Sequence, residues 1–340
     1  MKKAFLFVYS AVLRLSWLLA LCGLLFAWLS TQVSPEKQAW LALFGLSFPF
    51  WFLLAIVNLV FMLLRKRWRS GLILALGLIL TGSLTTRTIA FGMADNETSG
   101  ESLKVMSYNV RLFDLYNWTE GAGTRDKIFN FLDQNEVDVL CFQEFYFTQR
   151  KGVFDTRDTL IRFLPNTYFH EKYTHKLNGE QYFGVVTFSK YPIIGRGEIA
   201  FESDQNNYCI YTDILKGQDT VRIYNAHLAS IRFQKEDYKA LQDGPKSEDA
   251  MRLLTRLERA FIKRSSQVDL VRSHLEKDTA KMVVLCGDFN DSPVSYAYER
   301  LTDYLDDSFV EAGSGLGSSY VGTFPSFRID YILHSRHFKA

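Results

Sequence analysis

Three long apolar runs in the N-terminal part of the chain constrain its fold more than any other feature. They cover about 5–29, 40–64 and 71–93. A membrane-spanning helix needs ~20 mostly apolar residues, and the first two runs reach that length. The third run is strongly apolar only over Gly71–Leu84 and then continues through a threonine-rich stretch that contains Arg87. The pattern predicts a transmembrane segment with three spans, of which the third is the weakest.

Charge divides the chain at the end of these runs. Residues 1–94 contain nine basic side chains and one acid, which gives +8, whereas residues 95–340 contain 30 basic and 36 acidic side chains, which gives −6. Such a chain is neither a uniform soluble globule nor intrinsically disordered. Basic loops favour the cytoplasmic side. If the third span crosses, the globular domain then lies outside the cytoplasm (periplasmic), with the anchor in an inner or plasma membrane.

Residues 95–101 form a short polar linker, and residues 102–340 alternate strand-like and helical patterns. The predicted strands are Leu103–Val110, Val137–Gln143, Thr167–Tyr173, Gln181–Ser189, Gly197–Phe201, Tyr208–Leu215, Val221–His227, Met282–Gly287 and Ile329–His334. The predicted helices are Thr124–Asn135, with Thr124 as its N-cap, Thr156–Leu164 and about Ser247 to Lys277. This alternation is typical of one α/β domain with two packed sheets.

Polar residues recur at the ends of these apolar strands, where a rigid backbone can hold a side chain in a cleft. They are Asn109, Glu144, Asn225, His227, Asp288, Asn290 and Asp330. A single Asn or Asp after a strand is usually a turn former, and a single His there is usually structural. A carboxylate after a buried strand needs a cation or donors. The group as a whole therefore predicts one shared site.

The segments that carry these residues are Ser107–Val110, Gln143–Glu144, Asn225–Leu228, Gly287–Pro293 and Arg328–Tyr331. In order and spacing they resemble the metal-dependent endonuclease/exonuclease/phosphatase superfamily, which has the deoxyribonuclease I-like fold, as a membrane-anchored bacterial member. The resemblance covers about 103–335. It implies a four-layer α-β-β-α sandwich of two mixed sheets with the site at one edge, here preceded by an N-terminal helical transmembrane segment.

The resemblance also implies a cofactor and roles for the site residues. The cofactor would be Mg²⁺, with Mn²⁺ as an alternative, because such hard cations prefer oxygen ligands. Glu144 would be the direct ligand and Asn109 would support it through its amide oxygen. Asp288 would orient or deprotonate the attacking water.

The remaining roles concern the phosphate and the histidines. Asn290 would donate a hydrogen bond to a phosphate oxygen, and His227 would contact the scissile phosphate, with Asn225 beside them. Glu180 resembles a carboxylate that pairs with that histidine, although a solvated turn residue is an equal alternative. Asp330 matches the aspartate that partners a second catalytic histidine.

The sequence departs from the family pattern after Asp330. The family site normally ends with a Ser-Asp-His segment and a last strand, and residues 331–340 contain no such segment. Neither His334 nor His337 is placed like the missing group. The domain is therefore expected to lack its C-terminal strand, either as an incomplete version of a normal enzyme or as a natural degenerate that turns over poorly. Losing one acid–base histidine would remove a factor of ~10²–10⁴ in rate.

The sequence favours a membrane-anchored, Mg²⁺-dependent phosphoester hydrolase of phosphodiesterase or nuclease type that uses a metal-activated water. Two alternatives stay open: a hydrolase of lipid headgroups or small phosphoesters, and a catalytically weak membrane-bound binding protein. No obligate protein partner is inferred. Basic residues recur on the long helix, where a solvated helix face is favoured over a nucleic-acid patch. They are Arg252, Arg256, Arg259, Lys263 and Arg264.

Overall fold

The structure is a computed structural model in which helices fill the N-terminal segment and strands alternate with helices after it. It describes residues 2–92, 100–119, 121, 123–152, 154–164, 167–201, 204, 206–231, 233, 236–237, 247–321 and 327–340. The helices are α1 Lys2–Gln32, α2 Pro35–Gln38, α3 Leu41–Leu46, α4 Phe48–Leu64, α5 Trp68–Leu80, α6 Gly82–Thr88, α7 Thr124–Gln134, α8 Thr156–Phe163, α9 Ser247–Lys277, α10 Tyr296–Thr302 and α11 Ser308–Ala312, with a 3₁₀ segment at Arg111–Asp114. The strands are β1 Ala90–Phe91, β2 Val105–Asn109, β3 Val139–Thr148, β4 Tyr168–Leu177, β5 Gln181–Ser189, β6 Ile193–Ala200, β7 Tyr208–Lys216, β8 Asp219–His227, β9 Met282–Asp288, β10 Asp306–Asp307, β11 Ser314–Gly315 and β12 Asp330–His334.

The three predicted spans are more broken than their apolar runs suggest. Among the described residues, only Tyr9–Gln32 is one continuous helix long and apolar enough to cross a membrane. The second run breaks before α4, which has 17 residues and carries Pro49 in its first turn, where a missing backbone N–H costs nothing. The third run is α5 and α6, bent by 54° and joined at Thr81. The structure thus provides one candidate span, or two if the bent pair counts as one.

The helices of this segment pack against one another through small and polar contacts. The buried Asn58 side chain of α4 donates to Ser16 Oγ of α1 at 2.9 Å. Such hydrogen bonds between apolar helices are common in helical membrane bundles. Many apolar side chains nevertheless point outward, among them Leu64, Leu72 and Ile79, which are 77%, 72% and 73% exposed. The segment therefore presents an apolar outer surface.

Two sheets form the α/β part of the chain. Among the described residues, one sheet has the order β10-β12-β9-β8-β7-β6 and the other the order β2-β3-β5-β4. Each contains one parallel pair, β8 with β9 and β2 with β3, and the remaining pairs are antiparallel. Both sheets are therefore mixed, as expected from the sequence.

Three apolar clusters separate the four layers. Val139, Cys141, Ile223 and Cys286 belong to the cluster between the two sheets. Helices α7 and α8 cover the outer face of the four-stranded sheet, where phenylalanines dominate. Helices α9 and α10 cover the outer face of the six-stranded sheet. The predicted four-layer α-β-β-α order is confirmed, and Cys141, Cys209 and Cys286 in these layers are free, buried thiols.

The N-terminal segment is in contact with the α/β part of the chain. Strand β1 pairs with β11, and Arg87 at the end of α6 forms an ion pair with Glu299 of α10. Val294 belongs to the same buried cluster as Ala20 and Leu24 of α1. The predicted linker 95–101 lies mostly outside the described residues, and the division into domains stays a prediction.

Candidate active site

The polar strand ends meet at one edge of the sandwich. Asn109 closes β2, and Glu144 lies within the neighbouring parallel strand β3. In the other sheet Asp288 closes β9 and lies directly opposite Asp330, the first residue of β12. His227 closes β8 beside Asp288 in the parallel pairing. Because parallel strands end at a common edge, the topology gathers these five side chains from both sheets.

The amide of Asn109 lies between two carboxylates. Its Nδ2 donates to Glu144 Oε1 at 3.1 Å and to Asp288 Oδ2 at 2.9 Å. Its Oδ1 accepts the backbone N–H of Arg111 at 2.9 Å, which fixes the orientation of the amide. The sequence predicted that the amide oxygen would support a metal. In the structure the nitrogen faces the carboxylates instead, so Asn109 is a donor to the acidic groups.

Glu144 occupies a strained position in β3. The register between β3 and β5 shifts between Phe142 and Phe145, and Glu144 has φ +48°. A β-bulge of this kind re-aims a side chain, and positive φ in a residue other than Gly, Asn or Asp is uncommon. The side chain of Glu144 is one-third exposed within an otherwise buried strand. The bulge therefore turns one carboxylate out of the core toward the edge.

Asp288 and Asp330 are held in a setting that disfavours their charged forms. Burial raises the pKa of Asp288 to about 6, although the hydrogen bonds from Asn109 and from the backbone N–H of Asn290 lower it. Burial and then the nearby Asp288 charge raise the pKa of Asp330 to about 7. Desolvation and a neighbouring like charge both penalise a carboxylate. Such shifts are typical of catalytic acids and bases.

His227 lies next to these carboxylates. Its Nε2 is 3.7 Å from Glu144 Oε1, and its charge lowers the pKa of Asp330. The ring is 9% exposed. A histidine that borders acidic groups at the end of a strand can hold a proton and contact a phosphate.

The loop after β9 is built by a close backbone approach. A Cβ at Gly287 would lie 1.8 Å from the carbonyl oxygen of Ala226, and its φ is +146°. Glycine is therefore required where β9 ends. Asn290 follows with φ +52°, and its Nδ2 donates to the Leu228 carbonyl oxygen at 3.0 Å. In this conformation the amide that was predicted to contact phosphate holds the loop against the end of β8.

Asn225 lies beneath the site and not on its surface. The side chain is fully buried, and its Oδ1 accepts from Gln143 Nε2 at 2.8 Å. Its Nδ2 donates to the carbonyl oxygens of Phe142 and Val186 at 3.2 and 3.1 Å. These bonds join the two sheets. The prediction that Asn225 binds the substrate phosphate is not supported by this geometry, because its polar atoms already have partners inside the sandwich.

Glu180 does not join the site. It lies in the turn between β4 and β5, and its carboxylate forms an ion pair with Arg150. Residue 180 precedes Val186, whose carbonyl oxygen accepts from the Asn225 side chain, by six positions, which corresponds to ~20 Å along an extended strand. Glu180 therefore does not pair with His227 in this structure; it is a turn residue, which was the alternative prediction.

A buried ion pair that the sequence did not predict supports the loop. Arg264 of α9 is 1% exposed, and its guanidinium donates to Asp291 at 2.9 Å and to the Ala229 carbonyl oxygen at 3.0 Å. The proposed solvated helix face is thus wrong for Arg264, whose helical spacing gave no sign of a distant partner. It ties the loop after β9 to the chain just beyond His227.

Four other basic residues of α9 line a groove of about 500 Å³. Arg252, Arg256, Arg259 and Lys263 face it together with Ser230, which follows His227 by three residues. Three extended residues span at most ~11 Å. The acid Asp204 also lines the groove, and Asp237 pairs with Arg252 and Arg256. The groove thus combines an excess of cations with proximity to the site.

The donor set at the edge fits a hard divalent cation. Glu144, Asp288 and Asp330 carry carboxylates, and the Glu144 charge raises the pKa of Asp288 as Asp288 raises that of Asp330. A divalent cation that prefers oxygen ligands would offset the repulsion between these carboxylates. The buried Asp330 Oδ1 has no hydrogen-bond partner, as expected for an atom whose partner is a mobile group or ion.

Comparisons with known proteins identify the family of the α/β part of the chain. A family model described as the Endonuclease/Exonuclease/phosphatase family matches residues 106–340, and a second, described as a domain of unknown function, matches residues 5–88. A search of the curated proteins returns no match.

Several solved structures are similar to this chain. An endonuclease/exonuclease/phosphatase family protein from Bacteroides thetaiotaomicron is 16% identical with a TM-score of 0.50, over 70% of this chain and 84% of that chain. One from Leptotrichia buccalis is 17% identical with a TM-score of 0.48, over 70% and 89%. A 3′ phosphatase from Neisseria bound to a product DNA hairpin is 17% identical with a TM-score of 0.45, over 69% and 88%. The likeness to the Bacteroides protein supports the two-sheet fold.

Proposed function

The chain belongs to the Endonuclease/Exonuclease/phosphatase family, and we propose that it is a membrane-attached, Mg²⁺-dependent phosphoester hydrolase of the phosphodiesterase or nuclease type. Mn²⁺ is the alternative cation. The observation that carries the proposal is the convergence of Glu144, Asp288, Asp330 and His227 from both sheets at one edge. General phosphoester hydrolysis is the class that the family supports; the cation, the membrane attachment and the residue roles are the proposed part.

The roles follow from the surroundings of each side chain. Glu144, turned outward by its bulge, would hold the cation. When bound, the cation supplies polarisation of a phosphoryl oxygen and offsets charge on the leaving alkoxide. Asp288, with a pKa of about 6, is ionised near neutral pH and would accept the proton of the attacking water. His227 would contact the scissile phosphate, with Asp330 holding a proton nearby. Asn290 would turn from Leu228 to the substrate.

Membrane attachment is supported by the N-terminal helices. Their outward side chains are apolar, and large exposed apolar surfaces mark membrane or protein contacts. Val294, six residues after Asp288, is buried against these helices, so the site lies within ~22 Å of that contact. If α1, α4 and the bent α5–α6 pair each cross, the basic loops would place the site on the outer, periplasmic side of an inner or plasma membrane.

The same contact favours a second candidate substrate, a lipid headgroup or another small phosphoester. A site this close to the apolar helices would face the headgroup region. The cationic groove of about 500 Å³ is of the size that small ligands occupy. A nucleic acid would also carry phosphates to this groove, and its binding would weaken steeply with added salt.

The proposal is tested with the full chain in detergent and in liposomes. DNA, RNA, phospholipids and a simple phosphodiester are assayed with Mg²⁺, with Mn²⁺ and with a chelator, at low and high salt. We expect chelator-sensitive hydrolysis of at least one substrate and its loss in Glu144→Gln. Hydrolysis that a chelator leaves unchanged would refute the metal-dependent reaction. Metal binding without hydrolysis of any substrate would favour the binding-protein alternative.

A further inference from the structure

A second group of acidic and histidine side chains lies away from the candidate active site. It consists of Asp306 on β10, Glu311 on α11 and His334 at the end of β12. One ligand atom from each residue lies within 4.8 Å of the other two. Asp306 and His334 are direct cross-strand partners. His334 is four residues from Asp330 along an extended strand, or ~13 Å, so the two groups are separate.

The orientation of His334 is unusual for a buried imidazole. The ring is 4% exposed, and Nδ1 lies 3.2 Å from the backbone carbonyl oxygen of Ser335. A carbonyl can only accept, so Nδ1 carries a proton, and in the neutral form of the ring Nε2 presents a bare lone pair. This Nε2 makes no hydrogen bond, although Glu311 Oε2 is 3.3 Å away. A nitrogen lone pair and a carboxylate oxygen at this separation need a positive charge between them, either a proton on Nε2 or a metal ion.

Among the described residues, the neighbouring protein groups supply little of that charge. The guanidinium of Arg336 is 4.0 Å from Asp306 and its side chain is 89% exposed. The backbone N–H of Ala340 donates to Glu311 Oε2 at 3.0 Å. A weak, solvated ion pair and one neutral amide do not balance two carboxylates beside a buried ring.

We propose that Asp306, Glu311 and His334 bind one divalent cation of the Zn²⁺ or Mn²⁺ type, with water completing its coordination. One imidazole nitrogen and two carboxylates are common ligands for such ions, whereas Mg²⁺ strongly prefers oxygen. A metal-bound histidine typically donates its other ring N–H to a carbonyl, as His334 does toward Ser335. This site is independent of the proposed catalytic function.

The position of the site indicates a structural role. The cation would join α11 to the edge of the six-stranded sheet. Beyond α11 the chain continues into β11, which pairs with β1 directly after the N-terminal helices. The backbone N–H of Gly92 also donates to the Gly313 carbonyl oxygen at 2.9 Å. A cation here would hold the junction between the two parts of the chain.

The test measures metal binding in the full chain in detergent, stripped of metal, with Glu144→Gln present so that the candidate active site is disabled. Zn²⁺ affinity is read by competition with a chromophoric chelator, and Co²⁺ substitution is read by visible absorption. We expect one equivalent of Zn²⁺ and a Co²⁺ band typical of nitrogen and oxygen ligands. Adding His334→Gln or Glu311→Gln should weaken Zn²⁺ binding at least ~10-fold.

His337→Gln is the matched control, because His337 is exposed and three residues away; it should bind as the parent does. Since replacement of the buried His334 could perturb the edge, Glu311→Gln on the exposed face of α11 provides the second variant, and circular dichroism checks both folds. The proposal is overturned if the parent binds no Zn²⁺ below millimolar concentration, or if His334→Gln and Glu311→Gln bind as tightly as His337→Gln. Either result would leave a protonated His334 paired with Glu311.

Discussion

The two ends of β12 carry the same kinds of residue in different surroundings. At one end Asp330 meets Asp288, Glu144 and His227, gathered from two sheets. At the other end His334 meets two carboxylates from an edge strand and a five-residue helix. Beneath the first end, the buried amides of Gln143 and Asn225 join the two sheets. The second end lies at the edge of the six-stranded sheet. The types of residue in a cluster therefore indicate its function poorly until the surrounding packing and hydrogen bonds are known.

The largest expected difference between the two ends is catalytic. Asp288→Asn removes the proposed base and should lower phosphodiester hydrolysis by ~10²–10⁴-fold. His334→Gln should leave the rate close to that of the parent. The measurement is kcat/KM with saturating Mg²⁺ in detergent. Equal losses of kcat/KM in both variants would mean that the His334 end of β12 also contributes to the reaction, which would contradict the proposed difference between the two ends.

The next difference concerns buried charge. Arg264→Met leaves Asp291 uncompensated inside the protein, where burial already raises the pKa of that carboxyl group, and should cost about 3–5 kcal/mol of unfolding free energy. Arg336→Met at the peripheral end removes an exposed pair with Asp306 and should cost less than about 1 kcal/mol. Denaturant unfolding of the full chain in detergent compares them. Similar midpoints would show that the catalytic loop does not depend on Arg264.

A smaller effect tests the close packing at the catalytic end. Gly287→Ala places a Cβ against the Ala226 carbonyl and should lower the unfolding free energy by about 1–3 kcal/mol. In Gly82→Ala the added Cβ meets no atom within 4 Å, so this variant serves as the control. Thermal unfolding measures both. If the thermal midpoint of Gly287→Ala equals that of the parent, β8 and β9 can move apart without loss of stability.

The last effect is the pH dependence of stability. Because the folded pKa of Asp330 is about 7, above the ordinary value near 4 in an unfolded chain, the folded protein retains a proton that the unfolded chain has lost. Metal-free stability should therefore fall as pH rises from about 4 to 7, and Asp330→Asn should flatten that slope. Thermal midpoints measured in chelator across this range test it. If the thermal midpoints of the parent and of Asp330→Asn change with pH in the same way, the raised pKa of Asp330 is contradicted.

Much of the α/β fold could be predicted from the sequence. Alternating apolar residues placed β5 at Gln181–Ser189, and a long helical period placed α9 at Ser247–Lys277, with the observed bounds. Thr124 was wrong as an N-cap because Gly123 precedes the helix there and Thr124 donates to Asp114 instead. The two-residue strands and α10 escaped prediction because short elements carry no clear period.

The candidate site was predictable only in outline. Strand ends and motif order indicated which residues meet, but not which way their side chains turn. Asn225 faces the space between the sheets, and Glu180 pairs with Arg150, which lies just beyond the end of the neighbouring strand β3. Arg264 reaches a carboxylate 27 residues away. These contacts depend on tertiary packing, which a local pattern does not contain.

Val294 has a practical consequence for anyone who would study the hydrolase without its N-terminal helices. A truncated chain beginning near residue 102 would uncover this side chain, leave β11 without β1, and remove the Arg87 carbonyl that Arg328 donates to. The apolar helices are then scaffolding for the loop that carries the proposed base. Solubilising conditions that loosen those helices should alter turnover even when the strands stay folded, so detergent choice becomes a kinetic variable in its own right.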